Sequence, residues 1–152
     1  MALTFTFNDM PVMKPIKIPT QGKSFLYAVF IWLWKTRDWE IVEDWFFKID
    51  ETLYVIPKGT VVDGASIPKY FWAWISPTGI LLIPAIVHDY LYSNRRLMLA
   101  DRSMTAEMTQ KECDKMFRDI AIDVNGLKFV NQIAYWALRL FGWFAWNSKR
   151  NK

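Results

Sequence analysis

Ile80-Leu81-Leu82-Ile83-Pro84-Ala85-Ile86-Val87-His88-Asp89-Tyr90-Leu91-Tyr92-Ser93 is the stretch on which the reading of the fold turns. It is apolar as far as Val87 and then meets a histidine and a carboxylate side by side. The pattern predicts a helix from about Ile80 to Ser93, with Pro84 in its first turn or marking its start. His88 is the only histidine in the chain. Histidine alone has an unperturbed pKa near neutrality, so a single placed imidazole is a natural general base. The alternative is a polar cluster that locks two helices together.

Toward the C-terminus the chain reads as helical. Thr109-x-x-Glu112 is a capping-box pattern, and it predicts a helix from about Gln110 to Val124. Asn125-Gly126 is a stop signal. A last helix is expected from about Leu127 to Ala145. Arg95 to Met108 reads as a polar connection. Before Ile80, Lys69 to Ile75 predicts a short aromatic helix, broken by Pro77-Thr78-Gly79.

Toward the N-terminus the elements shorten and alternate. Trp39 to Ile49 and Leu53 to Ile56 read as two strands, joined tightly through Asp50-Glu51-Thr52. Thr60 to Val62 is a further short strand, followed by the compact loop Asp63-Gly64-Ala65-Ser66-Ile67-Pro68. Thr4 to Phe7 alternates like a strand, and Pro11, Pro15, Pro19 and Gly22 forbid a long element after it. Ser24 to Lys35 reads as a short helix or a buried strand. The expectation is an α+β fold, with short antiparallel strands in the first half and about three packed helices in the second. A chain of 152 residues makes one domain. Residues 1–38 form an N-terminal extension, 39–146 the core and 147–152 a basic tail.

Composition bounds the function. Apolar residues at 53% against 22% charged describe an ordered chain. Nine Trp, eleven Phe and six Tyr form a heavy aromatic load. It suits a packed core or a surface that is apolar on one side and wet on the other. A net charge of +4, dispersed along the chain, does not argue for nucleic acid. The lone Cys113 allows no internal disulfide and suits a reducing compartment, or an assembly that needs no staples. The first residues show no basic region before an apolar run, so no secretion signal is expected. Phe25 to Trp34 is too short for a membrane span. Phe129 to Trp146 contains Asn131, Gln132 and Arg139, and reads as a buried or interfacial helix.

Three pieces could carry chemistry. On a helix Tyr92 lies one turn from His88, about 40° round, and Asp89 lies about 100° round, so the three address one region. The next helix has an apolar stripe of Cys113, Met116, Phe117, Ile120 and Val124. Asp114 sits on the edge of that stripe, where a carboxylate needs a partner. His88 is the expected one, if the two helices pack antiparallel. Arg118, Arg95 and Arg96 are the alternatives. The third piece is the Asp63–Ser66 loop, where Gly64 can bring carbonyls close to a ligand. Asp63, Asp89 and loop carbonyls would form an all-oxygen set suited to Ca²⁺, whereas one histidine and one cysteine support zinc poorly. A turn docking strand to helix is the plain alternative for that loop. Neither a Gly-x-Ser-x-Gly elbow nor a P-loop is present. A triad of Ser66, His88 and Asp114 has no spacing to support it.

Two resemblances rest on these residues. The run Val55 to Pro68, then His88-Asp89-Tyr90-Leu91-Tyr92, then Cys113-Asp114-Lys115-Met116-Phe117, and the closing Tyr135 to Gly142, resemble a family of tailed bacteriophages and prophages. That family bears the label domain of unknown function 1353. The likeness implies a phage origin and supplies no activity. Locally, His-Asp-x-x-Tyr on one helix and Cys-Asp on the next are similar to the core of secreted and parvoviral phospholipases A2. That likeness implies an antiparallel helix pair with His88 as the base that activates water, Asp114 orienting it and Tyr92 supporting Asp114. It also implies Asp89 holding Ca²⁺ with carbonyls from a loop nearest to Asp63 and Gly64. The disulfide framework of the secreted enzymes is absent, as it is from the viral ones, and this loop has one glycine.

The leading expectation is therefore a Ca²⁺-dependent ester hydrolase acting on membrane lipid or another envelope component. The competing one is a non-catalytic virion, tail or accessory protein that binds other phage proteins. A peptidoglycan hydrolase is a third reading, disfavoured by the lack of a nucleophile motif. Either way the protein is expected to be made in the host cytoplasm without a signal peptide, and to be virion-associated in the structural reading. The enzyme reading requires His88 within hydrogen-bond reach of Asp114 in an open cleft, with Asp89 facing the loop. The structural reading requires the same groups sealed from solvent.

Overall fold

The computed structural model describes residues 3–7, 9–17, 22–27, 29, 38–62 and 81–148. Seven short strands come first, except for the last of them. They are β1 (Phe5–Phe7), β2 (Met13–Pro15), β3 (Trp39–Ile41), β4 (Trp45–Ile49), β5 (Thr52–Ile56), β6 (Val61–Val62) and β7 (Met98–Leu99). Three helices fill the second half: α1 (Leu82–Asn94), α2 (Gln110–Asn125) and α3 (Lys128–Ser148). The architecture is α+β with antiparallel strands, as the sequence pattern implies.

Two sheets form. One is four-stranded in the order β1-β4-β5-β7, and the other is three-stranded in the order β2-β3-β6; all pairs are antiparallel. In β4, Trp45, Phe47 and Ile49 point inward while Phe46 and Lys48 point out, the period-two alternation of a half-buried strand. The inward rings line up from Phe7 through Trp45 and Phe47 to Tyr54, with stacked centroids 5.6, 5.2 and 5.7 Å apart. Trp45 donates its indole N–H to the Asp9 carbonyl at 2.8 Å, so burying the ring strands no donor. Asp50 turns the β4–β5 hairpin at φ 52°, a left-handed conformation that aspartate tolerates.

Two expectations are corrected here. The single strand expected over Trp39–Ile49 is two strands in different sheets. The chain breaks at Val42-Glu43-Asp44, where Val42 donates its N–H to the Val12 carbonyl and Asp44 accepts from the Lys58 backbone. The connection after α1 is also not wholly irregular. Met98 and Leu99 pair with Val55 and Tyr54 and close the edge of the larger sheet. Phe25–Tyr27 is helical, while 30–37 lies outside the described residues. So do the expected helix Lys69–Ile75 and the loop Asp63–Pro68.

α1 is the pivot. Every residue from Pro84 to Tyr92 is buried, as a helix apolar almost all round must be. Pro84 is its third residue, within the first turn, where its missing N–H costs nothing. Ile86, Val87, Tyr90 and Leu91 join a core with Ile41, Phe47 and Ile56 of the sheets. Leu81 and Ala85 pack instead on Phe117 and Ala121 of α2 and Ala134 of α3. α1 ends at Arg95, whose left-handed φ of 59° turns the chain and returns its N–H to Leu91.

α2 starts at the expected capping box. The Thr109 N–H donates to the Glu112 carboxylate at 2.7 Å, and the Glu112 N–H donates back to the Thr109 hydroxyl. It stops at Gly126, φ 70°, whose N–H bonds to the Ile122 carbonyl. Only Gly126 and Leu127 separate α2 from α3, so the two helices run antiparallel. Asn131, fully buried, exchanges amide hydrogen bonds with Asn125 and pins that corner.

Candidate active site

The site is built where the three helices meet. His88 and Tyr92 lie one turn apart on α1 and point to α2; Asp114 lies in the first turns of α2 and points back. The order of contacts, Tyr92 with Gln110, His88 with Asp114 and Ala85 with the Phe117 cluster, shows that α1 and α2 are antiparallel. His88 Nε2 lies 2.9 Å from Asp114 Oδ1. The Tyr92 hydroxyl donates to the same oxygen at 2.5 Å. Arg139, two turns before the end of α3, donates to Asp114 Oδ2 at 2.8 Å. Gln110 donates to the Tyr92 oxygen at 3.3 Å and extends the chain outward.

Asp114 is 0% exposed and would be prohibitively placed without these donors. Burial pushes its carboxyl up, but the hydrogen bonds from His88, Tyr92 and Arg139 outweigh burial and hold it below the usual aspartate range. Asp114 is thus an ionised acceptor. Tyr92 is pushed the other way, first by burial and then by its bond to the carboxylate, so its phenol stays protonated. The bond to Asp114 raises Arg139 further above its already high value. Burial, then the neighbouring Asp114, pushes the Cys113 thiol up to about 12, which makes it an inert core residue rather than a nucleophile.

An ionised carboxylate only accepts, so His88 Nε2 carries the proton in this pair. In the neutral ring Nδ1 is then the basic nitrogen. The imidazole is held by more than Asp114. Tyr92 lies against it at a ring separation of 4.0 Å, and Phe117 meets it edge-on at 5.5 Å. A histidine with a fixed tautomer, backed by a carboxylate that stabilises its charged form, is a base unit capable of taking a proton from water. His88 is 6% exposed and Asp114 not at all, so the pair is sealed as the structural reading requires and does not lie in the open cleft that the enzyme reading requires.

The sequence places His88, Tyr92 and Asp114 correctly in one cluster. Asp89 is buried on α1 one residue further on. Asp63, Gly64 and Ser66 lie outside the described residues, and among the described residues no group of three acidic, His or Cys side chains could hold a metal. Asp89 by itself is one carboxylate of the six to eight oxygens Ca²⁺ takes. The cationic alternatives for Asp114 go elsewhere: Arg118 pairs with Asp119, and Arg95 and Arg96 with Glu107. Two participants are absent from the sequence reading. Arg139 counted there only as a charge against a membrane span. Gly142 figured there only as the last residue of the run that resembles the family, yet a Cβ on it would lie 2.5 Å from the Tyr92 hydroxyl. A small residue every so often in an apolar helix is the signal that could have found it.

The fold and site define a class: an α+β domain with a histidine–carboxylate pair buried between antiparallel helices. Residues 39–138 match the family described as protein of unknown function (DUF1353), and the chain belongs to that family. No curated protein and no solved structure matches it.

Proposed function

We propose that the protein is a phage-encoded ester hydrolase directed at membrane lipid, with His88 as general base. The observation that carries this reading is the His88–Asp114 pair, with Asp114 held by Tyr92 and Arg139 as well. Nδ1 of His88 would take a proton from water as its oxygen attacks the ester carbonyl carbon. Asp114 would stay ionised and stabilise the imidazolium. That proton would then pass to the departing alcohol oxygen as the ester bond breaks, which restores neutral His88. Tyr92 and Arg139 act on Asp114 and so are positioning residues. Asp89, with Asp63 and carbonyls near Gly64, would be the residues to hold Ca²⁺, and the ion would supply stabilisation of the oxyanion. The phage assignment comes from the sequence resemblance, and lipid as substrate from the local likeness to phospholipases A2.

The test is turnover of phospholipid esters by the wild type and by His88→Ala, each with Ca²⁺ and with chelator. Replacing the base is expected to cost about 10²- to 10⁴-fold in rate. Chelator is expected to abolish the wild-type rate. The near-complete burial of His88 and Asp114 favours a second reading, in which the same network only locks α1, α2 and α3 in a virion, tail or accessory protein. An absence of turnover in a folded wild type, with His88→Ala merely less stable, selects that reading.

A further inference from the structure

α3 has two unlike faces. One holds the site through Arg139 and Gly142, and buries Asn131, Ala134 and Tyr135. The other is apolar and uncovered. From 129 to 144 every exposed position is apolar: Phe129, Ile133, Trp136, Leu140, Trp143 and Phe144, together with Phe141. Their spacing of three and four residues makes one continuous stripe, about 24 Å long at 1.5 Å per residue. Phe129 is 78% exposed, which is far from what a ring of that size adopts against water without reason.

We infer that this face of α3 is a docking surface for an anionic phospholipid bilayer. Charge chooses the occupant. From Lys128 to Lys152 the chain carries no acidic residue and, apart from Arg139, which is paired with Asp114, four basic ones, Lys128, Lys149, Arg150 and Lys152. α2, by contrast, mixes both signs. A second copy packed on the stripe would set two such basic segments against each other, whereas anionic headgroups complement them. Among the exposed positions of α3, polar residues fall only at the two ends: Lys128 at one, and Asn147 and Ser148 at the other. Tryptophan and phenylalanine in the middle suit the boundary between headgroup and acyl chain. The helix lies on the bilayer rather than through it. No helix among the described residues is long and apolar enough to cross, and Asn131 and Arg139 are committed to partners inside the protein. Because Arg139 and Gly142 sit on the same helix as the stripe, docking brings the His88–Asp114 site to within one helix diameter of the lipid.

The inference rests on the lipid-directed reading only in sharing a target, and binding is measured apart from turnover, so the two fail separately. The experiment is co-sedimentation with vesicles of phosphatidylcholine, alone or mixed with phosphatidylglycerol, alongside tryptophan emission. Wild type and His88→Ala are expected to bind the anionic vesicles with a blue shift and to bind pure phosphatidylcholine far more weakly. Trp136→Glu/Leu140→Glu/Phe144→Glu is expected to lose about tenfold or more in affinity, with an unchanged circular dichroism spectrum. Leu140→Glu alone is expected to lose part of it and guards against misfolding of the triple variant. Equal binding by the folded variants, or no binding of wild type to anionic vesicles, overturns the proposal. So does a wild-type dimer that the triple variant converts to monomer without vesicle binding by either, which would assign the face to a second copy. Vesicle binding without ester turnover overturns the hydrolase reading and leaves this surface standing.

Discussion

Asp44 and Asp114 are both aspartates that hold an arginine, and they show what burial does to the same pair of groups. Asp44 lies at the break between β3 and β4, where it accepts from the Lys58 backbone and from Arg102. Both of its ion-pair side chains are substantially exposed. Asp114 lies between three helices with no exposure at all, and answers to His88, Tyr92 and Arg139. The carboxyl of Asp44 is lowered chiefly by one backbone hydrogen bond. That of Asp114 is lowered only because three donors overcome a burial that works against it. An exposed pair can be lost to water at little cost; a buried one has no substitute solvent.

The strongest break in this comparison is Asp114→Ala. It leaves the Tyr92 hydroxyl and the His88 and Arg139 nitrogens without their acceptor in a water-poor space. The expected loss is about 3–5 kcal/mol of folding stability, read by urea denaturation. Asp114→Asn keeps the shape and sharpens the point in acid. The unfolded chain takes up this proton near pH 3.9, whereas the native carboxyl takes it up lower. Stability from the depressed value is therefore fully present above about pH 3.9 and fades as the pH falls through the native value. The gap in denaturation midpoint between wild type and Asp114→Asn should narrow over that acid window. A gap independent of pH would mean that Asp114 is not ionised in the native protein.

Gly142→Ala comes next in size. The added methyl would stand 2.5 Å from the Tyr92 oxygen and 3.2 Å from the Gln110 amide, so the tyrosine has to move off Asp114. The expected cost is about 1–3 kcal/mol. In a Tyr92→Phe background the hydroxyl is gone and the nearest ring carbon lies 3.5 Å away. The same substitution should then cost clearly less, and a double-mutant cycle reads the difference as coupling. Additive costs would show that Gly142 serves helix packing and not the Tyr92–Asp114 bond.

These residues also mark how far the sequence could be read. The His88–Asp114 contact was legible because an amphipathic helix sets a carboxylate on the edge of its own apolar stripe, where it needs a partner, and His88 is the one an antiparallel pair of helices brings to it. Thr109, Glu112 and Gly126 were legible because caps act within one turn of chain. Arg139 was not, since its partner lies on another helix and its own neighbours are apolar. Gly142 was not, since close approach depends on how two helices pack. The break at Val42–Asp44 left only a short trace, an apolar Val42 and a charged Glu43 out of phase with Trp39, Ile41 and Trp45, while what holds it is a bond to Val12 some thirty residues earlier. Local chemistry is written in the chain; the choice of distant partner depends on register and crossing geometry.

The smallest expected effect belongs to Asp44→Ala. Arg102 then loses a partner it shares with water, and the Lys58 N–H lies at the surface, where solvent replaces the carboxylate. The loss should fall near the scatter of a denaturation experiment in physiological salt. Ionic strength separates it from Asp114. At about 0.1 M salt the screening length is about 10 Å, which weakens exposed pairs and leaves buried ones nearly untouched. Lowering the salt should therefore enlarge the Asp44→Ala effect and leave that of Asp114→Ala unchanged, both followed by denaturation midpoint. If the two responded alike to salt, Asp114 would have to be reached by solvent ions, and its role as the sealed partner of His88 would fall with that result.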